Sequence, residues 1–146
     1  MGLALAAKKS NSTRRIFLIT GDGELAEGSN WEAALAAAHY GLDNLVIIND
    51  KNNLQLAGPT REIMNTDPLA DKWRAFGMTV TECQGNDMAS VVATLEGLKQ
   101  EGKPNVVIAN TTKGAGISFI QGRPEWHHRV PKGEEIALAL EELKDE

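Results

Sequence analysis

The chain has 146 residues, 42% of them hydrophobic and 24% charged, which suits a single globular domain with a sizeable core. Its formal net charge of −5 excludes the electrostatic footprint of a nucleic-acid binder, and no stretch approaches the about 20 apolar residues of a membrane span. One cysteine, Cys83, excludes a disulfide framework and a cysteine-rich zinc site, so the chain reads as cytoplasmic.

The first apolar run, Gly2 to Ala7, is too short for a signal core, and its positive charges follow it; it reads as the end of a helix. Arg14 and Arg15 read as a solvated pair. Arg15 to Thr20 is rich in branched and aromatic residues and predicts a buried strand that ends in Gly21-Asp22-Gly23. Ser29 to Tyr40, with its alanines and Gly41 beyond, predicts a helix. Asn44 to Asn49 predicts a second buried strand. Pro68 to Phe76 predicts a helix stopped by Gly77, and Met78 to Cys83 a third strand with Cys83 small and buried. Asp87 can cap a helix running to Gln100, with Val91, Val92, Leu95 and Leu98 as its apolar stripe. Asn105 to Ala109 is a fourth strand. A glycine-rich segment from Thr111 to Gly122 follows, and a last helix spans about Lys132 to Leu143, with Glu134, Glu135, Glu141 and Glu142 on its solvated face. Strands alternating with helices, each strand a continuous apolar run, predict one α/β domain over 1–146: a parallel sheet covered by helices on both faces.

In such sheets ligands bind beyond the carboxyl ends of the strands. Here two polar loops occupy such ends, Gly21-Asp22-Gly23 and Asn49 to Asn53, with one helix between them. Asp22 offers a carboxylate oxygen and Asn52 an amide oxygen, hard donors of the kind Mg²⁺ takes beside phosphate and water. One carboxylate and one amide leave the ion net positive, able to hold a diphosphate. Glycine lets backbone approach closely, and the helix near Ser29 offers free N–H groups to an anion. Each loop alone is an ordinary turn. Their conjunction, with Asp22 and Asn52 thirty positions apart at two strand ends, is the signal.

The combination Gly21-Asp22-Gly23 … Asn52-Asn53 resembles the thiamine diphosphate motif. The longer run from Gly21 to Ala33 resembles transketolases, especially those split into two subunits. So do Asp67 to Gly77, Thr111 to Gly116 and Pro124 to His128, so the likeness covers nearly the whole chain. It implies the thiamine-diphosphate-binding fold, with thiamine diphosphate and Mg²⁺ (or Ca²⁺ or Mn²⁺ in its place) as cofactors. It implies that Asp22, Asn52 and the Leu54 carbonyl ligate the metal, and that Gly21, Gly23 and Glu24 lie at the diphosphate. It implies that His127 contacts the diphosphate and the substrate end of the cofactor; His128 stands where the family commonly has glycine, so two rings compete for that place. It implies that Glu27 and Glu32 join an acidic network across the interface between subunits, although Ser29 to Glu32 also reads as a capping box. Trp31 and Trp73 read as packing residues. Lys113 fits either a phosphate contact or a surface position.

The resemblance also implies what the chain does not itself supply: a pyrimidine-binding domain with its glutamate, and an upstream part of the diphosphate-binding domain. The expected function is that of a transketolase-type subunit transferring a two-carbon ketol unit from a ketose (phosphate) to an aldose (phosphate). It would act only with a complementary subunit, in a homo- or hetero-oligomer, with no nucleic acid and no membrane as partners. Another thiamine-dependent enzyme, such as a 1-deoxyxylulose-phosphate synthase, and a non-catalytic fragment that keeps the fold are the alternatives. An ordinary nucleotide-binding domain finds no glycine-rich phosphate motif here.

Overall fold

In chain order the elements are α1 (Gly2–Lys9), β1 (Ile16–Gly21), α2 (Gly28–His39), β2 (Leu45–Lys51) and a small hairpin of β3 (Leu54–Gln55) and β4 (Gly58–Pro59). Then come α3 (Thr60–Ile63), α4 (Leu69–Ala75), β5 (Thr79–Gln84), α5 (Met88–Glu96), β6 (Asn105–Asn110) and α6 (Glu134–Glu142). Short 3₁₀ turns cover Gly23–Ala26, Pro124–His127 and Leu143–Asp145. The computed structural model describes residues 1–145.

The four predicted strands form one parallel sheet in the order β1-β2-β6-β5. Alternation along the two central strands divides the core. Leu45 and Ile47 of β2 and Val106 and Ile108 of β6 face one side, where Ala34 and Ala37 of α2, Leu69 and Trp73 of α4 and Ala4 of α1 cover them. Val46, Val107 and Ala109 face the other side with Cys83, under Val91 and Leu95 of α5 and Leu98 just beyond it. The sheet is thus flanked by helices, as the alternation of runs predicts. Alanine, rather than a larger side chain, at 34 and 37 lets the α2 backbone lie close to the strands. α2 ends where Gly41 takes a φ of +54°, a left-handed conformation that strains a side-chain-bearing residue but not glycine. Asn44 Nδ2 donates to the carbonyl of Ala4 at 3.0 Å and fastens α1 to the start of β2.

Several expectations change. β1 is the sheet edge, not a buried strand: Phe17, Leu18 and Ile19 are 50%, 42% and 72% exposed. Arg15 is not simply solvated, since its guanidinium lies 5.0 Å from the Phe17 ring centre and its Nε and Nη2 are buried. Asp87 does cap α5, accepting from the backbone N–H of Ala89 at 3.0 Å, but the helix stops at Glu96 and Val92 faces outward. The last helix is not fringed by idle acids either. Glu142 accepts from the Ser118 amide and hydroxyl at 2.5 and 2.7 Å, and these donors hold its carboxyl below the ordinary range. Glu135 accepts from the Lys132 amide at 3.0 Å and pairs with Arg129. Both acids pin α6 to the segment before it. Among the described residues no helix is long and apolar enough to cross a membrane.

Trp31 and Trp73 are packing residues, with ring centres 4.9 Å apart, and Phe76 stacks on Trp31 at 5.2 Å. Trp73 also donates its indole N–H to Asn49 Oδ1 at 2.7 Å, at the fully buried end of β2.

Candidate functional site

The parallel register sets Gly21 of β1 level with Asp50 of β2, so the two polar loops leave the sheet side by side. The Asp22 amide donates to the Asp50 carbonyl at 3.1 Å, extending the ladder one residue past β1. The chain then folds into the 3₁₀ turn Gly23–Ala26, whose Leu25 is buried, and only afterwards enters α2. Beyond β2, Asn53 takes a φ of 60° and turns the chain into the β3–β4 hairpin. Between these loops lies a cleft of about 620 Å³, within the range of ligand pockets.

The cleft gathers Gly21, Asp22, Gly23, Glu24, Glu27, Asn52, Leu54 and His127, all anticipated from sequence. Lys113 joins them from the loop after β6, as do Asp50, Gln55 and Leu56, which sequence reasoning missed. Asp50 lies inside a run whose polarity is plain in the sequence; Gln55 and Leu56 are brought in by a hairpin that no periodicity announces. Glu32 is not part of the cleft: it is exposed on α2. Nor does it close a capping box, because α2 begins at Gly28 behind Glu27 and has no side-chain cap bond. The α2 N-terminus therefore meets the cleft through Glu27 and not through Gly28 or Ser29, contrary to the expectation of a bare anion-binding helix end. Of the two histidines, His127 lines the cleft and His128 does not. Trp126, buried beside it and in edge contact with Phe119 at 5.5 Å, anchors the 3₁₀ turn that carries His127.

Four carboxylates face this space, and their hydrogen bonds differ. Glu24 accepts from the Gly21 amide at 2.5 Å. Asp50 accepts from the Thr111 hydroxyl and from Asn52 Nδ2. Glu27 is exposed. Asp22 is 2% exposed; its Oδ2 accepts from the Asn53 amide at 2.7 Å, while its Oδ1 is buried with no partner among the described residues. Burial pushes the Asp22 carboxyl above the ordinary range, and the Asp50 charge adds to this, against the lowering by the Asn53 and Gly23 amides. An orphaned buried carboxylate oxygen is costly unless something positive meets it. Asn52 Oδ1 accepts from the Leu54 amide at 3.0 Å and keeps a second lone pair. Among the described residues no three His, Cys, Asp or Glu side chains converge as a metal site. The donor set here is different: one carboxylate, one amide and a backbone carbonyl, all hard oxygens, which fit Mg²⁺ bound mainly through a phosphate ligand. Gly23 fits the same picture, since a Cβ there would stand 2.8 Å from Gln55 Cγ.

Residues 6–144 match the family model described as transketolase, thiamine diphosphate binding domain. The chain belongs to that family. One of the two chains of an apulose-4-phosphate transketolase from Actinobacillus succinogenes is 74% identical over 146 residues, all of this chain and 53% of the relative. A protein of the same name from Phocaeicola vulgatus is 40% identical over 146 residues, 99% of this chain and 52% of that one. A transketolase structure from Campylobacter jejuni superposes with a TM-score of 0.90 at 31% identity, covering 96% of this chain and 23% of that one. The chain thus spans about half the length of the curated relatives it matches, and the transketolase fold is common to all of it that superposes.

Proposed function

We propose that this chain supplies the diphosphate- and metal-binding half of a transketolase-type active site. With a complementary subunit carrying a pyrimidine-binding domain, it would transfer a two-carbon ketol unit from a ketose (phosphate) to an aldose (phosphate). The observation that carries this reading is the partnerless, buried Oδ1 of Asp22 at the wall of the cleft. A cleft with four carboxylates and one lysine would repel a diphosphate unless a divalent cation stood between them.

Asp22 Oδ1, Asn52 Oδ1 and the Leu54 carbonyl would hold Mg²⁺, with Ca²⁺ or Mn²⁺ able to replace it. Gly23 and Gly21 would let the diphosphate lie against backbone, and Lys113 would add a direct positive charge. His127 would donate to the diphosphate or to the substrate oxygens nearby. Glu24 holds the Gly21 amide and so shapes the loop without touching the anion. Thiamine diphosphate, when bound, supplies a carbon that can attack a carbonyl and then stabilise a carbanion. Glu27 and Glu32 would face a second subunit, Glu27 from the cleft and Glu32 from the α2 surface. The open β1 edge, and relatives about twice as long, support the further reading that the diphosphate-binding unit is completed by polypeptide outside this chain. The 74% identical relative makes apulose 4-phosphate the first donor to try.

Calorimetry with thiamine diphosphate and Mg²⁺ tests the proposal. The chain alone should bind weakly and show no ketol transfer; adding the complementary subunit should bring both tight binding and turnover. Turnover by the chain alone would overturn the shared-site reading. Retained metal-dependent binding after Asp22→Ala would overturn the metal assignment.

A further inference from the structure

We propose that Asp50, clamped by Thr111, is a positioning residue that decides which end of the Asn52 amide meets the metal ion. The inference rests on the metal site proposed above and concerns how that site is kept in working orientation.

The two ends of an asparagine side chain have nearly the same shape but opposite hydrogen-bonding character. A ligand amide must present oxygen, and shape alone does not ensure it. Here the choice is made from both sides. Asn52 Nδ2 donates to Asp50 Oδ2 at 3.0 Å, and a carboxylate can only accept. Asn52 Oδ1 accepts from the Leu54 amide at 3.0 Å, and an amide N–H can only donate. A flipped Asn52 would set two acceptors against each other at Asp50 and two donors at Leu54. The oxygen that remains in place has a lone pair left for a cation.

Asp50 is itself held. Its Oδ1 accepts from the Thr111 hydroxyl, so both of its oxygens are engaged. Thr111 follows directly on β6, and its amide donates to the Lys51 carbonyl at 3.1 Å. The orienting bond thus runs from the central strand β6 through Thr111 and Asp50 to Asn52. Neither Asp50 nor Thr111 belongs to either apolar cluster, so their side chains serve this linkage and not the core. Partners of this kind, which act on a ligand rather than on the metal, typically change metal affinity by about 10- to 100-fold when removed.

The test follows Mn²⁺ binding to the full chain with thiamine diphosphate, by electron paramagnetic resonance, with thermal melting as a control for folding. Thr111→Val and Asp50→Ala should each weaken Mn²⁺ binding by about tenfold or more, and Thr111→Ser, which restores the hydroxyl, should restore it. Unchanged binding in Thr111→Val, or a Thr111→Ser as weak as the valine variant, would overturn the proposal. So would an Asp50→Ala that abolishes binding as Asp22→Ala does while Thr111→Val does nothing, because Asp50 would then be a ligand. Asp22→Ala separates the two levels of argument. If it abolishes Mn²⁺ binding while the Thr111 variants do not differ, only the positioning role falls. If it leaves binding intact, or the wild-type chain binds no Mn²⁺ at saturating cofactor, the metal site falls and the positioning role with it.

Discussion

The backbone N–H of Asn53 donates to Asp22 Oδ2 at 2.7 Å, joining the loop after β2 to the loop after β1. Asn53 makes that bond from a left-handed conformation with a φ of 60°. Asparagine tolerates this region; for most side chains it costs about 1–2 kcal/mol. Asn53→Gly should therefore leave both stability and Mg²⁺-dependent cofactor binding near wild type. Asn53→Val should lower stability by about 1–2 kcal/mol in urea unfolding and weaken binding as well. Equal behaviour of the two variants would show that the conformation does not govern the loop.

Gly23 and Gln55 compete for one place. A methyl group on Gly23 would sit 2.8 Å from Gln55 Cγ, and Gln55 is itself tied by its Nε2 to the Met64 carbonyl at 2.9 Å. Gly23→Ala should keep the fold but weaken thiamine diphosphate binding, and adding Gln55→Ala should recover part of the loss. Strictly additive losses in calorimetry would mean the two positions do not interact.

Trp73→Phe should destabilise the chain by about 2 kcal/mol or more, because it opens space in the core and leaves Asn49 Oδ1 buried without its donor. Asn49 also donates to Thr20, so the damage should reach the ends of both β1 and β2. Chemical denaturation measures the first effect, and cofactor affinity the second.

Acid should weaken one tie near the site. The hydrogen bond and charge of Lys51 hold the Asp67 carboxyl below its ordinary 3.8, so the folded chain gives up that proton more readily than the unfolded one. The pair's stabilisation is complete above pH 3.8 and disappears as pH falls through the lower folded-state value. Asp67 is about half exposed and the pair is screened by solvent, so the contribution is at most about 1 kcal/mol. Lys51→Met should remove this part of the acid limb of a stability–pH curve; an unchanged limb would assign it to other carboxyls.

Much of this architecture is legible in the sequence because its signals are local. Each apolar run became a strand, and the Asp22 and Asn52 loops met because consecutive strands β1 and β2 are neighbours. What escaped depends on neighbours in space. The run from Ile16 to Thr20 looks the same whether two strands flank it or one, so the exposure of Ile19 could not be read from it. The capping box at Ser29 to Glu32 failed because the turn Gly23–Ala26 ends at Glu27 and starts α2 one residue early. Asp50 looked like one acid among several; its meaning comes from Thr111, sixty-one residues away.

The exposed side chains of β1 are a practical liability. An apolar edge strand invites pairing with other chains. Ile19→Thr should raise the concentration at which the isolated chain stays monodisperse in light scattering, without changing its unfolding midpoint by more than about 0.5 kcal/mol in equivalent stability. A midpoint that collapses would mean Ile19 is part of the core after all.

The strand order also sets a gradient of backbone protection across the cofactor cleft. β2 and β6 are paired on both sides and β1 on one, so amides of β1 should exchange with solvent fastest among the parallel strands bordering the cleft. One wall of the cleft stands on the most shielded strand and the other on the least. A ligand that bridges them lends the closed wall's rigidity to the open one, so its arrival should register as slowed exchange along β1 and leave β6 almost silent.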